Sequence, residues 1–137
     1  MISAEATLFS PEPTAYLPHR FPFLQLDRII SLEPGRAASA SKRLSVGEEG
    51  WPPVFMVETI AQLGGIAAAD AEEGGGGILA AIDRAEFIDL PRVGDSLTIS
   101  VTIIKSFGPL HLVEGEVSAE DRTLARATVT LKVGKLG

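Results

Sequence analysis

Glu58 and Gln62 stand four residues apart in an otherwise apolar run, Val54-Phe-Met-Val-Glu-Thr-Ile-Ala-Gln-Leu63, so on a helix they share one face. A carboxylate there loses hydration, the setting of a general acid. A buried glutamate bonded only to a backbone amide or to Gln62 is the alternative reading. The imidazoles able to act as a base near neutral pH are His19 and His111. His19 lies in Leu17-Pro-His-Arg20, where a histidine beside prolines serves equally to satisfy backbone groups. His111 keeps step with Val113, Gly115 and Val117, which turns it to the apolar face of a strand, as a base or as a hydrogen-bonded core residue. Trp51, just ahead of Pro52 and Pro53, either walls a binding cavity or staples the helix start onto the core.

Other chemistries are closed off. The chain has no cysteine and two histidines, which excludes thiol nucleophiles, disulfides, iron-sulfur clusters and an imidazole metal site, so neither metal nor cofactor is expected. Gly74-Gly-Gly-Gly77 follows the apolar run and leads into a strand, the reverse of the strand-glycine-helix order that cradles phosphate, and reads as a turn. Net charge is -6, with the acidic excess concentrated in residues 46–95, which makes nucleic acid a poor partner. Arg84, Arg92, Lys105 and Arg126 read either as a basic mouth for an acidic partner or as scattered solvated charges.

The elements that must position these groups follow from patterning. At 137 residues, 45% of them hydrophobic, the chain fits one domain over 1–137, with residues 1–15 as a loose lead-in. Pro52 and Pro53 open a helix from Val54 to roughly Glu73, apolar on nearly every side and hence buried, with Gly64-Gly65 allowing another backbone to pass close by. Two strands precede it, turning at Glu33-Pro34-Gly35, and four follow: 78–87, 97–104, 110–118 and 123–133. Leu97 to Ile103 and Ala125 to Val133 alternate cleanly, each offering one face to a core. No apolar run approaches the ~20 residues that span a bilayer, and no basic segment precedes Arg20 as a secretory signal needs, so no membrane partner and a cytoplasmic location are expected.

Four ordered stretches then carry a family resemblance: Leu17-Pro-His-Arg-Phe-Pro-Phe-Leu24 with Asp27-Arg28-Ile29; Val57-Glu-Thr-Ile-Ala-Gln62; Leu79-Ala-Ala-Ile-Asp83 with Ala85 and Phe87; and Pro91-Arg-Val-Gly-Asp95. Together they resemble the beta-hydroxyacyl-acyl-carrier-protein dehydratases. That resemblance implies an α+β hot-dog fold, a curled antiparallel sheet wrapped around one long central helix, with the site in a tunnel between two copies of a homodimer. It further implies an acyl carrier protein or coenzyme A thioester as partner, and removal of water from a 3-hydroxyacyl group. In such a family a histidine takes the α proton, a carboxylate on the other subunit's helix handles the leaving hydroxyl, and a helix-start N–H polarises the thioester carbonyl. Glu58 matches the carboxylate and Gln62 the family's glutamine.

The other two parts do not match. The family's Gly-His-Phe-x-Gly-like loop corresponds to Gly47-Glu-Glu-Gly-Trp-Pro-Pro53, and no histidine lies between 20 and 110. The helix-start glycine corresponds to Pro53, which has no N–H to give, leaving the amide of Val54 as the substitute donor. Trp51, Pro53, Val54 and Gln62 are accordingly the substrate-contacting candidates, and Glu58, with His19 or His111 as a displaced base, the catalytic ones. Three functions follow: an atypical dehydratase, a hot-dog thioesterase working through Glu58, or a non-catalytic acyl-binding partner subunit.

Overall fold

A computed structural model describes residues 10–13, 25–45, 50–69 and 77–133. The elements are β1 (Arg28–Glu33), β2 (Ala37–Arg43), α1 (Val54–Ala68), β3 (Gly77–Phe87), β4 (Ser96–Phe107), β5 (Leu110–Ala119) and β6 (Arg122–Val133). The strands form one six-stranded sheet in the order β1-β2-β4-β5-β6-β3, every pairing antiparallel. α1 lies across its inner face, in contact with β2 through β6, which is the hot-dog arrangement.

Alternation builds the inner face. Leu97, Ile99 and Val101 of β4 and Ala125, Ala127, Val129, Leu131 and Val133 of β6 are buried against Met56, Ile60, Leu63 and Ile66 of α1. α1 packs tightly on β5 at Gly115. A Cβ built on Gly115 would stand 2.5 Å from Ile60 Cγ2 and 2.9 Å from Ile60 Cγ1, so only a bare backbone admits the isoleucine. Gly64 meets Leu131 and Val113 side chains rather than a passing backbone; the backbone that comes close is that of β5 at Gly115, against Ile60 one turn away.

The helix ends at Ala68, short of Glu73. Ala69 is extended, with its N–H on the Gly65 carbonyl, and residues 70–76, including most of the tetraglycine, lie outside the described residues. The helix end is tied down at Ala67. Gly35, at φ 78° in the β1–β2 turn, donates its N–H to Ala67 O at 2.7 Å, so the turn satisfies a helix-end carbonyl that would otherwise be orphaned.

The lead-in is not loose throughout. The carbonyl of Pro11 accepts the Ile29 N–H at 2.7 Å, because β1 is an edge strand whose outward amide needs a partner. Residues 1–9, and His19, lie outside the described residues. At the other edge, β3 carries two register shifts, between Leu79 and Ala81 and between Ile82 and Arg84. Each inserts an extra residue, so Leu79 and Ile82, three apart, both oppose inward-facing partners, Leu131 and Val129.

The segment between β3 and β4 is pinned by charge. Arg122 spans Asp89 at 2.8 Å and Asp95 at 3.0 Å, and Asp95 also accepts the Arg92 N–H at 2.8 Å. The Leu90 N–H, then Arg122, hold the Asp89 carboxyl below its ordinary value. Among the described residues no helix is long and apolar enough to cross a membrane.

Gly115→Ala should destabilise the fold by about 1–3 kcal/mol in denaturant unfolding, as overpacking does. On an Ile60→Ala background the same change should cost less, because the clashing methyls are gone; simple additivity of the two costs would show that the contact is not the cause. Arg122→Met should lower stability at neutral pH. A lowered Asp89 pKa stabilises the fold above the carboxyl's unfolded value and loses that effect as pH falls through the folded one, so the gap between Arg122→Met and the parent should narrow below about pH 4 in thermal melts.

Candidate functional site

The first turns of α1 are the part of the helix that reaches solvent: Val54 is exposed, and Phe55 and Glu58 are half-buried, whereas Met56, Val57 and Thr59 to Ala67 are buried. Pro53 is the N-cap residue and supplies no N–H, so the first amide at this helix end belongs to Val54. Val54, Phe55, Val57 and Glu58 face Leu79 and Ile82 of β3 and Gln25 across a cavity of about 430 Å³. Apart from Glu58 and Gln25 its walls are apolar.

Glu58 is held by a chain of hydrogen bonds. The Gln25 backbone N–H donates to Gln62 Oε1 at 2.9 Å, which fixes the amide's orientation and turns Gln62 Nε2 to donate to Glu58 Oε1 at 3.1 Å. Gln62 is 3% exposed, so this pairing satisfies an amide that burial would otherwise penalise. The Gln25 side chain extends the chain outward: its Oε1 accepts the Trp51 indole N–H at 3.2 Å. Trp51 also meets Phe55 edge-on at 5.7 Å between centroids, and the ammonium of buried Lys42 sits 5.8 Å from the indole centroid.

Of the sequence candidates, Glu58, Gln62, Trp51, Pro53 and Val54 thus come together at the start of α1. His111 does not join them in one protomer. It sits on β5 opposite Leu131 of β6, which in turn opposes the cavity residue Leu79 on β3, so two strand spacings, about 10 Å, separate it from that wall. Its Nδ1 pairs with Ser106 Oγ at 2.7 Å, and burial pushes the imidazole below its ordinary pKa.

Gln25 and Lys42 were not picked out by residue type. Gln25 is the lone amide between Leu24 and Leu26, and Lys42 keeps step with inward Ala38 and Ala40 on β2; a polar residue at an inward position was the available signal. Nor do the four basic candidates form a mouth. Arg84 and Arg126 share a mixed groove on the outer face of the sheet with Glu86, Glu114 and Glu116, Arg126 Nε lying 3.5 Å from Glu116, while Lys105 lies over the ring of Phe107. The alternation that buries one face of β5 and β6 puts both signs of charge together on the other.

No protein-family model matches the chain. Among solved structures, the dehydratase heterocomplex ApeI:P from Xenorhabdus doucetiae superposes with a TM-score of 0.73 over 90% of this chain and 91% of that one at 20% identity, and smu.793 from Streptococcus mutans, bound to acetyl CoA, with 0.69 over 88% and 98% at 16%. Both share the hot-dog fold. In sequence, the 3-hydroxyacyl-(acyl-carrier-protein) dehydratase FabZ of Oceanobacillus iheyensis is 31% identical, covering 85% of this chain and 92% of the relative. FabZ of Campylobacter fetus is 33% identical over 81% and 87%, and FabZ of Bacillus subtilis 30% over 87% and 93%. Identity at this level along nearly the whole of each relative, together with a helix carboxylate and its amide partner on the shared fold, places the chain in the FabZ family of 3-hydroxyacyl-(acyl-carrier-protein) dehydratases.

Proposed function

We propose that the chain binds 3-hydroxyacyl thioesters of acyl carrier protein or coenzyme A in the Glu58 cavity, as an atypical dehydratase-type protein whose site is completed by a second copy. The observation that carries this reading is the Gln62-held Glu58 in an apolar cavity beside an open sheet edge. A 3-hydroxyacyl chain presents one leaving hydroxyl and an apolar tail, which match one carboxylate and apolar walls. In dehydration the Cα–H bond breaks toward a base, the Cα–Cβ double bond forms, and the Cβ–O bond breaks as Glu58 protonates the departing hydroxyl.

The atypical part is the loop ahead of α1. Gly47-Glu-Glu-Gly-Trp-Pro-Pro53 carries no histidine to take the α proton, and Pro53 offers no N–H to the thioester carbonyl; the Val54 amide is the nearest donor. A second reading is a partner subunit that supports an active relative, favoured by the loss of these two parts and by the likeness to a chain of a dehydratase heterocomplex. Thioester hydrolysis with Glu58 activating water is the third, and needs no imidazole.

Edge geometry supports the second copy. β3 runs from Gly77 to Phe87, pairs with β6 on one side, and leaves Ile78, Ile82 and Phe87 about half exposed. Pairing β3 with β3 of another copy would satisfy the outer backbone groups and cover these side chains, of which Ile82 lines the Glu58 cavity.

Sedimentation at micromolar concentration should therefore show a dimer, and Ile82→Asp should dissociate it; a monomeric parent protein would count against any interface site. Dehydration of 3-hydroxyacyl carrier substrates should run about a hundredfold or more below a FabZ relative, since one general base is worth that much. Glu58→Gln should abolish the residual dehydration or hydrolysis without lowering the melting temperature. Activity retained by this variant would remove Glu58 from the chemistry; absence of activity in the parent, with full activity on mixing with a dehydratase relative, would favour the partner-subunit reading.

A further inference from the structure

We infer that Trp51, held by Gln25, is the specificity-determining wall that ends the Glu58 cavity and limits the length of acyl chain it accepts; this rests on the thioester reading above. Gln25 and Phe55 line the Glu58 cavity, and both touch Trp51, one by the 3.2 Å hydrogen bond to the indole N–H and the other edge-to-face. Trp51 itself lines a different cavity, of about 260 Å³, with Leu44, Pro53, Leu90 and Val93. The indole with its two partners is thus a partition between two largely apolar spaces.

The chemistry of the two spaces names the occupant. A thioester with its hydroxyl at Glu58 must lay its methylenes along the apolar walls, Val54, Phe55, Val57, Leu79 and Ile82. Its tail then meets Gln25 and Trp51. Swinging the indole aside would break the part-buried hydrogen bond between its N–H and the Gln25 side-chain oxygen. Pro52 and Pro53 immediately after it stiffen the backbone that would have to move, and the Lys42 ammonium near the ring favours the seated position. A short chain is accommodated with the wall closed; a longer one has to open it.

Binding without turnover isolates this step. The probes are 2-oxoalkyl coenzyme A thioethers, which keep the carbonyl but cannot be hydrolysed, in a series whose tails match butyryl to dodecanoyl. Dissociation constants are measured by calorimetry on the parent, Trp51→Ala and Gln25→Leu. In the parent, affinity should rise by about fourfold per methylene and then break at a short length, the rise being the gain from burying each methylene. In Trp51→Ala the break should move out by two or more methylenes as the two cavities join. Gln25→Leu keeps the bulk of the side chain but frees the indole, so it should move the break in the same direction, with a shift in fluorescence from Trp51, the chain's single tryptophan. If Trp51→Ala does not fold, Gln25→Leu decides. Both variants keeping the parent's profile would overturn the wall and leave the thioester reading standing, as would a parent affinity that climbs unbroken to the longest tail. No binding of any probe to the parent would overturn the thioester reading and the wall together.

Discussion

The seat of Ile60 on the bare backbone of Gly115 sets how deep α1 lies in the sheet. A side chain on that strand position would lift the helix, and everything that α1 carries would move with it. Because Glu58 and Gln62 lie two residues on either side of Ile60, the depth of this one contact governs how far the carboxylate stands from Leu79 and Ile82. The catalytic-type residue is placed by an apolar contact on the far side of its helix.

A second constraint acts at right angles to the first. Gln62 and Gln25 are buried polar residues, 3% and 7% exposed, in a region otherwise packed with aliphatic side chains. Each is tolerable because its amide is bonded, and bonding in series passes orientation along: β1's entry fixes Gln62, Gln62 fixes Glu58, and Gln25 in turn receives Trp51. The apolar contacts set position and the polar series sets direction. Neither alone would define a site.

Much of this was legible in the sequence because it depends on local rules. Period-two alternation placed the inward residues of β4 and β6, and i, i+4 spacing put Glu58 and Gln62 on one face. What stayed hidden depends on contacts between distant segments. The helix stops at Ala68, short of Glu73, where the β1–β2 turn takes a helix-end carbonyl. Gln25, just ahead of β1, and Lys42 of β2 reach the site from segments that precede it, with no spacing relation to Glu58. His111 follows its strand's parity correctly, yet parity says nothing of the strand that stands between it and the cavity.

The two register shifts in β3 have a further meaning for assembly. Each extra residue resets the alternation, so the strand presents neither a flat edge nor a uniform two-residue rhythm along its length. A straight strand from an unrelated protein cannot match its amides against such an edge for more than a few residues before falling out of phase. A copy bent in the same way can follow it. The irregularity that brings Leu79 and Ile82 together beside Glu58 thus also discourages, at this edge of the sheet, the indiscriminate strand addition that leads to fibres.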